Sequence, residues 1–533
     1  MITASPPKSE INSAIALYSS GQIQAALDAI ETLTKSHPND PLLFNINGIC
    51  YKTIGKLHEA VKNFEKALAI KPNYAEVHYN LGVTFHELGQ PNAAVRSYEK
   101  ALFIKPDYAN ACNNLGVIFN ELNQNDEAVK SLERALTIKP DFADACNNLG
   151  ISLNKLGQVD AAVKSYEKAL SLKPNYAEAH NNLGNALKNL GQLNEAVNSY
   201  KSALKINPDY AEAHNNFGIT FYKLNQLVSA VESHEKALAI KPDYAEAYQS
   251  LGNALKGLKR LDEAVVNYER AIALKPNIDF ILGEVFHTQM DLCVWDELPI
   301  RLDELKNKIN NNEKVMHPFT LLALIDDPEI QRTAAEIFSN KNFPNNNVLP
   351  AIGIYPKHSK IRIGYFSADF REHPVSSLTA ELYEMHDRSE FEIYAFSFGP
   401  DTNDEMNLRI KAGVDHFHDV RSLSHKEIVL LARSFEIDIA IDLGGFTQNA
   451  RTEIFAMSAA PIQASYIGVL STMGVDYYDY LLAGQGMIPE SNQKYFSEKI
   501  VYLPTYQVND SKEILPEITF TRKELGLPEK GFV

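Results

Sequence analysis

The 533-residue sequence holds four cysteines, Cys50, Cys112, Cys146 and Cys293, too few and too scattered for a disulfide framework. Cys112 and Cys146 stand 34 residues apart and read as small buried residues on equivalent helices, not as metal or redox groups. No apolar run is long enough to cross a bilayer. The N-terminus has no basic stretch leading into an apolar core, so no signal peptide and no membrane partner are expected. A reducing cytoplasm is the expected setting. Cationic residues are in deficit, with 51 Lys plus Arg against 67 Asp plus Glu and a net charge of −16. A general phosphate-backbone binder needs a basic face, so no nucleic-acid partner is expected.

What the sequence does have is a period. Gly48, Gly82, Gly116, Gly150, Gly184, Gly218 and Gly252 are spaced by 34 residues, and so are Pro38, Pro72, Pro106, Pro140, Pro174, Pro208, Pro242 and Pro276. Within one repeat the companion marks are Leu81, Phe85, Ala94, Tyr98 and Ala101. This is the tetratricopeptide pattern, in which two antiparallel helices meet at small residues and a proline ends the second. The eight prolines predict eight repeats over residues 8–278, the first divergent as end caps are. No single pair buries its own apolar face, so stacking stabilises the array.

Two residues before the glycines stand Asn80, Asn114, Asn148, Asn182 and Asn216. An asparagine on a helix surface is usually a solvated group or a local cap. Five copies in phase favour instead a ladder of amides on the concave surface of the superhelix, each able to donate to and accept from an extended polypeptide. Ile46 and Ser250 break the row, which places the groove centrally.

After Pro276 the period is lost. Residues 279–359 read as a helical transition and surface connection, with helical patterns near 295–305 and 330–338. From 360 to 533 strand-like runs at 361–366, 391–397, 437–443, 462–467 and 499–503 alternate with helical stretches at 378–385 and 426–434. That alternation predicts an α/β Rossmann-like parallel sheet, whose ligands lie beyond the carboxyl ends of the strands. Three loops sit there. The first, 367–376, contains Asp369, His373 and Pro374. Pro374 suits the first helical position, which puts His373 at the helix entry, facing the crevice, with Asp369 able to orient it or to act as base. The same spacing suits two loop-capping groups. The second loop, 443–451, has two glycines for close backbone approach and Thr447 as a donor, without the spacing of a dinucleotide fingerprint. The third, 468–474, is again glycine-bounded. His416 and His418 share a strand face without the Cys/His companions of a zinc site, and read as a solvated strand face. Asp438 and Asp442 are too far apart to pair on a metal.

The runs at 362–374, 449–456, 460–464 and 495–504 resemble the catalytic region of the O-GlcNAc transferase/Spindly family, with the repeats upstream in the expected place. That resemblance implies an inverting, metal-free GT-B transferase of two Rossmann halves, moving GlcNAc from UDP-GlcNAc, or fucose from GDP-fucose in Spindly-type relatives, to Ser or Thr of polypeptides guided by the repeats. No other cofactor is implied. His373 and Asp369 match the family's His and Asp in this loop, and Ile467 and Gly468 match positions lining the sugar pocket. A family histidine that touches the nucleotide sugar corresponds to Phe319, with His317 nearby, and its role is not carried over. The family's Gly-Tyr-Pro-Gly-Thr becomes Gly-Val-Leu-Ser-Thr at 468–472, and no acidic residue follows Ala483. Residues 521–533 resemble the lead-in to the second Rossmann half, so transfer by this chain alone is expected to be weak or absent. The alternative is a repeat-built interaction scaffold with a vestigial transferase domain.

Overall fold

The computed structural model describes residues 6–533 except 297, 448, 509–510, 512–519, 525–527, 529 and 531–533. The expected lead-in at 521–533 falls largely outside the described residues. The chain divides into two compact units, Met1–Ala254 and Leu255–Val533, each taken by itself below.

The first unit is a succession of antiparallel helix pairs, among them Pro41–Thr53 with Leu57–Ile70, Ala75–Glu87 with Pro91–Ile104, and Ala211–Lys223 with Leu227–Ile240. The repeat glycines explain the close approach. A Cβ at Gly82 would lie 2.7 Å from the Tyr98 ring, which is fully buried. Glycine inside a helix costs about 1 kcal/mol, whereas burying a large ring is worth about 3–5 kcal/mol on truncation, so the exchange favours the pair. The same fit joins Gly48 to Phe64, Gly150 to Tyr166, Gly184 to Tyr200 and Gly218 to His234. Each pair turns through one left-handed residue, for example Gly89 at φ 68° and Asn123 at φ 57°. The helix pair Ala245–Gly257 and Leu261–Leu274 carries the sequence pattern onward to Pro276, completing the sixteen repeat helices from Lys8–Ser19 to Leu261–Leu274.

The second unit holds a seven-stranded parallel sheet. Its strands are β1 (Ile361–Ser367), β2 (Phe391–Ser397), β3 (His416–Asp419), β4 (Ile439–Asp442), β5 (Ile462–Tyr466), β6 (Tyr480–Gly484) and β7 (Lys499–Leu503). The order β3-β2-β1-β4-β5-β6-β7 reverses between β1 and β4, which is the switch point where doubly wound sheets open a crevice. The fold class expected from the sequence, repeats followed by a Rossmann-like sheet, is the one observed. Stacked Phe366 and Phe396, with ring centroids 4.5 Å apart, anchor one face of the sheet, and Tyr365, Tyr383 and Ile393 the other.

The helices before the sheet do more than connect. Pro328–Asn342 lays Ala335 and Phe338 into the sheet's own core, and Ser339 donates to the Met473 carbonyl at 2.7 Å. His416 and His418 share a face as alternation requires, but that face is covered. His418 stacks on Phe435 at 4.7 Å and His416 bonds Glu392 at 3.0 Å, so the expected solvated surface is a half-buried aromatic layer.

Candidate active site

Three loops follow β1, β4 and β5, and the chain packs them together at the switch point. Phe370 and Val375 of the first share one apolar cluster with Ile467 and Leu470 of the third. A Cβ on Gly468 would lie 2.3 Å from the Leu443 carbonyl oxygen and 2.6 Å from that of Gly444. Only glycine lets the loop after β5 touch the backbone after β4. Ile467, just before it, sits at φ 62°, a region a β-branched residue adopts only when its surroundings force it, as at functional sites.

Asp369 is buried and His373 is one-third exposed, with Nδ1 of the ring 3.8 Å from Oδ2 of Asp369. His373 is the cap residue of the single-turn helix Pro374–Ser377, as the proline at its first position predicts, and the following helix is Ala380–Met385. The Val375 N–H donates to His373 Nδ1 at 3.3 Å. A nitrogen that accepts carries no hydrogen, so in the neutral ring the hydrogen is on Nε2, which is left to donate outward. Asp369 also pairs with Arg371 at 3.4 Å, and its backbone N–H donates to Ser367 Oγ at 2.9 Å, while Ser376 Oγ donates to its carbonyl. The first loop is thus a capping device that also sets Asp369 and His373 side by side. Pro374 is exposed beside them.

Thr447 lies on the second loop. Its hydroxyl donates to the Gly444 carbonyl at 2.8 Å, so it offers a ligand lone pairs and not a hydrogen. What shapes that loop is Asp442, which sequence reasoning considered only as a metal ligand. Its Oδ1 accepts from the N–H groups of Gly444 (2.8 Å) and Gly445 (3.2 Å), and its Oδ2 from Tyr478 Oη at 2.6 Å. Burial pushes this carboxyl above its ordinary range against those three donors. Its position at the end of a buried strand, two residues ahead of paired glycines, was the available signal. The third loop is held likewise: buried Glu498 accepts from Thr472 Oγ1 at 2.7 Å and from the Met473 N–H at 2.6 Å.

His317 reaches the same region. Its ring lies 6.1 Å from that of Phe446 and 4.4 Å from that of Phe338, Nδ1 accepts from the Phe319 N–H at 3.2 Å, and burial pushes its pKa down. Phe319 is half exposed. Among the described residues no group of three or more His, Cys, Asp or Glu is placed to hold a metal.

The asparagine row of the first unit has partners that the sequence did not reveal. Asn80 donates to Asn45 at 3.0 Å, Asn148 to Asn113 at 3.0 Å, Asn182 to Asn147 at 3.0 Å and Asn216 to Asn181 at 3.1 Å. Asn114 donates instead to Tyr79 Oη at 3.2 Å. Each amide bridges to the preceding repeat. Asn80, Asn148, Asn182 and Asn216 spend one N–H in this way and remain only partly buried.

Residues 348–524 match glycosyl transferase family 41. Residues 50–89, 117–157, 152–191, 184–225 and 220–259 match the TPR repeat, and 75–108 and 245–278 the tetratricopeptide repeat. The chain is 34% identical over 271 residues to a probable UDP-N-acetylglucosamine–peptide N-acetylglucosaminyltransferase SEC of Arabidopsis thaliana, covering 47% of this chain and 28% of that protein. It is 35% identical over 165 residues to a UDP-N-acetylglucosamine–peptide N-acetylglucosaminyltransferase of Caenorhabditis elegans, covering 30% of this chain and 14% of that one. A Thermobaculum terrenum O-GlcNAc transferase mutant of known structure is similar at 23% identity and a TM-score of 0.43, covering 62% of this chain and 58% of its own. The family resemblance drawn from the motifs is met by the family and repeat matches and by the two sequence relatives, and the chain spans less than a third of the length of either relative. No helix among the described residues is long and apolar enough to cross a membrane.

Proposed function

We propose, from a chain that carries a family 41 glycosyltransferase region behind a tetratricopeptide array, that the rim at the β1–β4 switch point transfers a sugar from a nucleotide sugar to Ser or Thr hydroxyls of polypeptides. Residues 8–278 then guide the acceptor through the amide edges left free on Asn80, Asn148, Asn182 and Asn216, with Asn114 bonded within the array to Tyr79, Tyr98 and Asn113, residues 279–359 brace the crevice, and residues 360–533 supply a wall of it. The relatives' names make UDP-GlcNAc the donor to test first, and the family resemblance makes GDP-fucose the second.

One observation carries this reading: the shared apolar cluster that sets the Asp369–His373 loop against Ile467 and Gly468. With Nδ1 engaged by Val375, His373 donates from Nε2 to an oxygen of the donor. The Asp369 carboxylate takes the acceptor's proton as the hydroxyl oxygen bonds to the anomeric carbon, and the bond to the diphosphate breaks with its electrons leaving on the nucleotide. Pro374, Thr447, Ile467 and Gly468 shape the sugar's side of the pocket.

Calorimetric titration of both donors, with transfer to a peptide measured alongside, tests the reading. Asp369→Asn should lower transfer by about 10²–10⁴-fold. His373→Ala should abolish it, and His373→Gln, which keeps a donor near the place of Nε2, should retain more. Absence of binding to either donor, with polypeptide binding intact, would favour the scaffold alternative. The internal use of Thr447's hydroxyl and the Thr472–Glu498 lock on the third loop lend that alternative its support.

A further inference from the structure

His78 and Asn80 are two positions apart on the helix Ala75–Glu87, so they point about 200° apart around its axis. Asn80 belongs to the asparagine row, and His78 faces the other way, into a groove between the helices Leu57–Ile70 and Pro91–Ile104. The groove has two lobes of about 520 and 310 Å³ that share Glu65, Leu68, His78 and Lys100 as walls. Phe103 lines the larger lobe while 88% exposed. Other repeats carry Ala69, Thr137, Ser171, Lys205, Ala239 or Ala273 at that position, so the aromatic wall is particular to this place.

His78 is only 7% exposed. Its Nε2 lies 3.0 Å from the Pro72 carbonyl oxygen, and since a carbonyl only accepts, Nε2 carries the hydrogen. Nδ1 is then a buried lone pair, and it has no partner. The same Nε2 bond recurs at His180 (3.1 Å) and His214 (2.9 Å), whose rings are only half-buried and open to water. Burial depresses the His78 pKa and keeps the ring neutral, so the acceptor persists at physiological pH. Buried acceptors are nearly always satisfied, and one left open calls for a donor. Arg96 and Lys100, one turn apart at the groove, form no ion pair among the described residues and face the single carboxylate of Glu65.

We propose that this groove binds an aromatic side chain bearing its own hydrogen-bond donor, the indole of tryptophan or the phenol of tyrosine, from an acidic polypeptide segment. The ring lies against Leu68 and Phe103, its N–H or O–H meets His78 Nδ1, and flanking carboxylates pair with Arg96 and Lys100. The site is separate from the asparagine row and does not depend on the glycosyl-transfer reading.

The test uses the full chain and a fluorescein-labelled Glu-Asp-Trp-Glu-Asp peptide, read by anisotropy. Saturable binding is expected, weakened about tenfold when the tryptophan is replaced by 1-methyltryptophan, which lacks the N–H. Ala69 is exposed on the groove wall, so Ala69→Trp fills the groove without entering the core and should abolish binding with the melting curve unchanged. Ala239→Trp, at the equivalent exposed position of a later repeat, should leave binding as it is. No saturable binding, equal affinity for the methylated peptide, or full binding by Ala69→Trp would each overturn the proposal. So would concentration-dependent self-association abolished by Phe103→Ala, which would assign the groove to a second copy of the chain.

Discussion

Gly468 shows how much a single hydrogen in place of a methyl group can decide. A Cβ there would meet two backbone carbonyl oxygens, at 2.3 and 2.6 Å, and neither belongs to a flexible side chain. Gly468→Ala must therefore move the loop after β4 or the loop after β5, at a cost of about 2–3 kcal/mol, toward the upper end for overpacking. A lowered unfolding midpoint for the α/β unit, with any donor binding weakened alongside it, is the expected result. An unchanged midpoint would mean the two loops do not touch. The sequence marked Gly468 through its family motif, but the reason, contact with a loop some two dozen residues earlier in the chain, is tertiary. The asparagines divide in the same way. Their period exposed the row, whereas the acceptors Asn113, Asn147 and Asn181 are offset by 35 residues and hidden by their own burial. Asp442 could be weighed in the sequence only against Asp438, as a metal pair too widely spaced to form, because the sequence says nothing of Tyr478.

A helix pair is the smallest element with a testable energy of its own, and the pair Ala211–Lys223 and Leu227–Ile240 departs from its siblings. Where Tyr98, Tyr166 and Tyr200 fill the space opposite the repeat glycine, this pair has His234, fully buried, with Nε2 unpartnered. Burial lowers its pKa from 6.5 to about 4. The unfolded chain therefore binds the proton first: stability is complete above the unfolded pKa and is lost as pH falls toward the folded one, by about 3 kcal/mol between pH 6.5 and 4. His234→Tyr should remove that acid-sensitive component and raise the midpoint at pH 5. Equal pH slopes for the two proteins would show that the ring is not buried neutral. The end of β4 behaves with the opposite sign. Asp442's folded pKa is raised, so its contribution is complete below the unfolded carboxylate pKa of about 4 and is lost as pH rises through the folded value. Asn can accept from both glycine N–H groups through Oδ1 and donate to Tyr478, so Asp442→Asn should keep the fold and flatten the decline in stability with rising pH. Parallel curves from pH 4 upward would refute this. At this scale the strands β1, β2 and β4 were plain in the sequence from their apolar runs. β6 was not, because five residues of mixed burial give too short a pattern to stand out.

At the scale of the molecule the two units use different means of support. The repeat unit draws its stability from neighbours along the chain, one interface per step, so its free energy is close to a sum of local terms. The α/β unit depends on one sheet in which β1 pairs with β4 across some 75 residues of sequence, so it unfolds as a whole. The period of 34 made the repeats legible as far as Pro276. In the second unit, the crevice had to be inferred from strand ends, because its walls come from loops far apart in sequence. Scanning calorimetry of the full chain should therefore resolve two transitions. His234→Tyr should move only the transition that circular dichroism assigns to helix, and Gly468→Ala only the other. The two shifts should add in the double variant, since the sites lie in separate units and share no partners. A single transition displaced by both substitutions would show that the chain folds as one cooperative body, and the assignment of client binding and chemistry to separate units would then lose its thermodynamic basis.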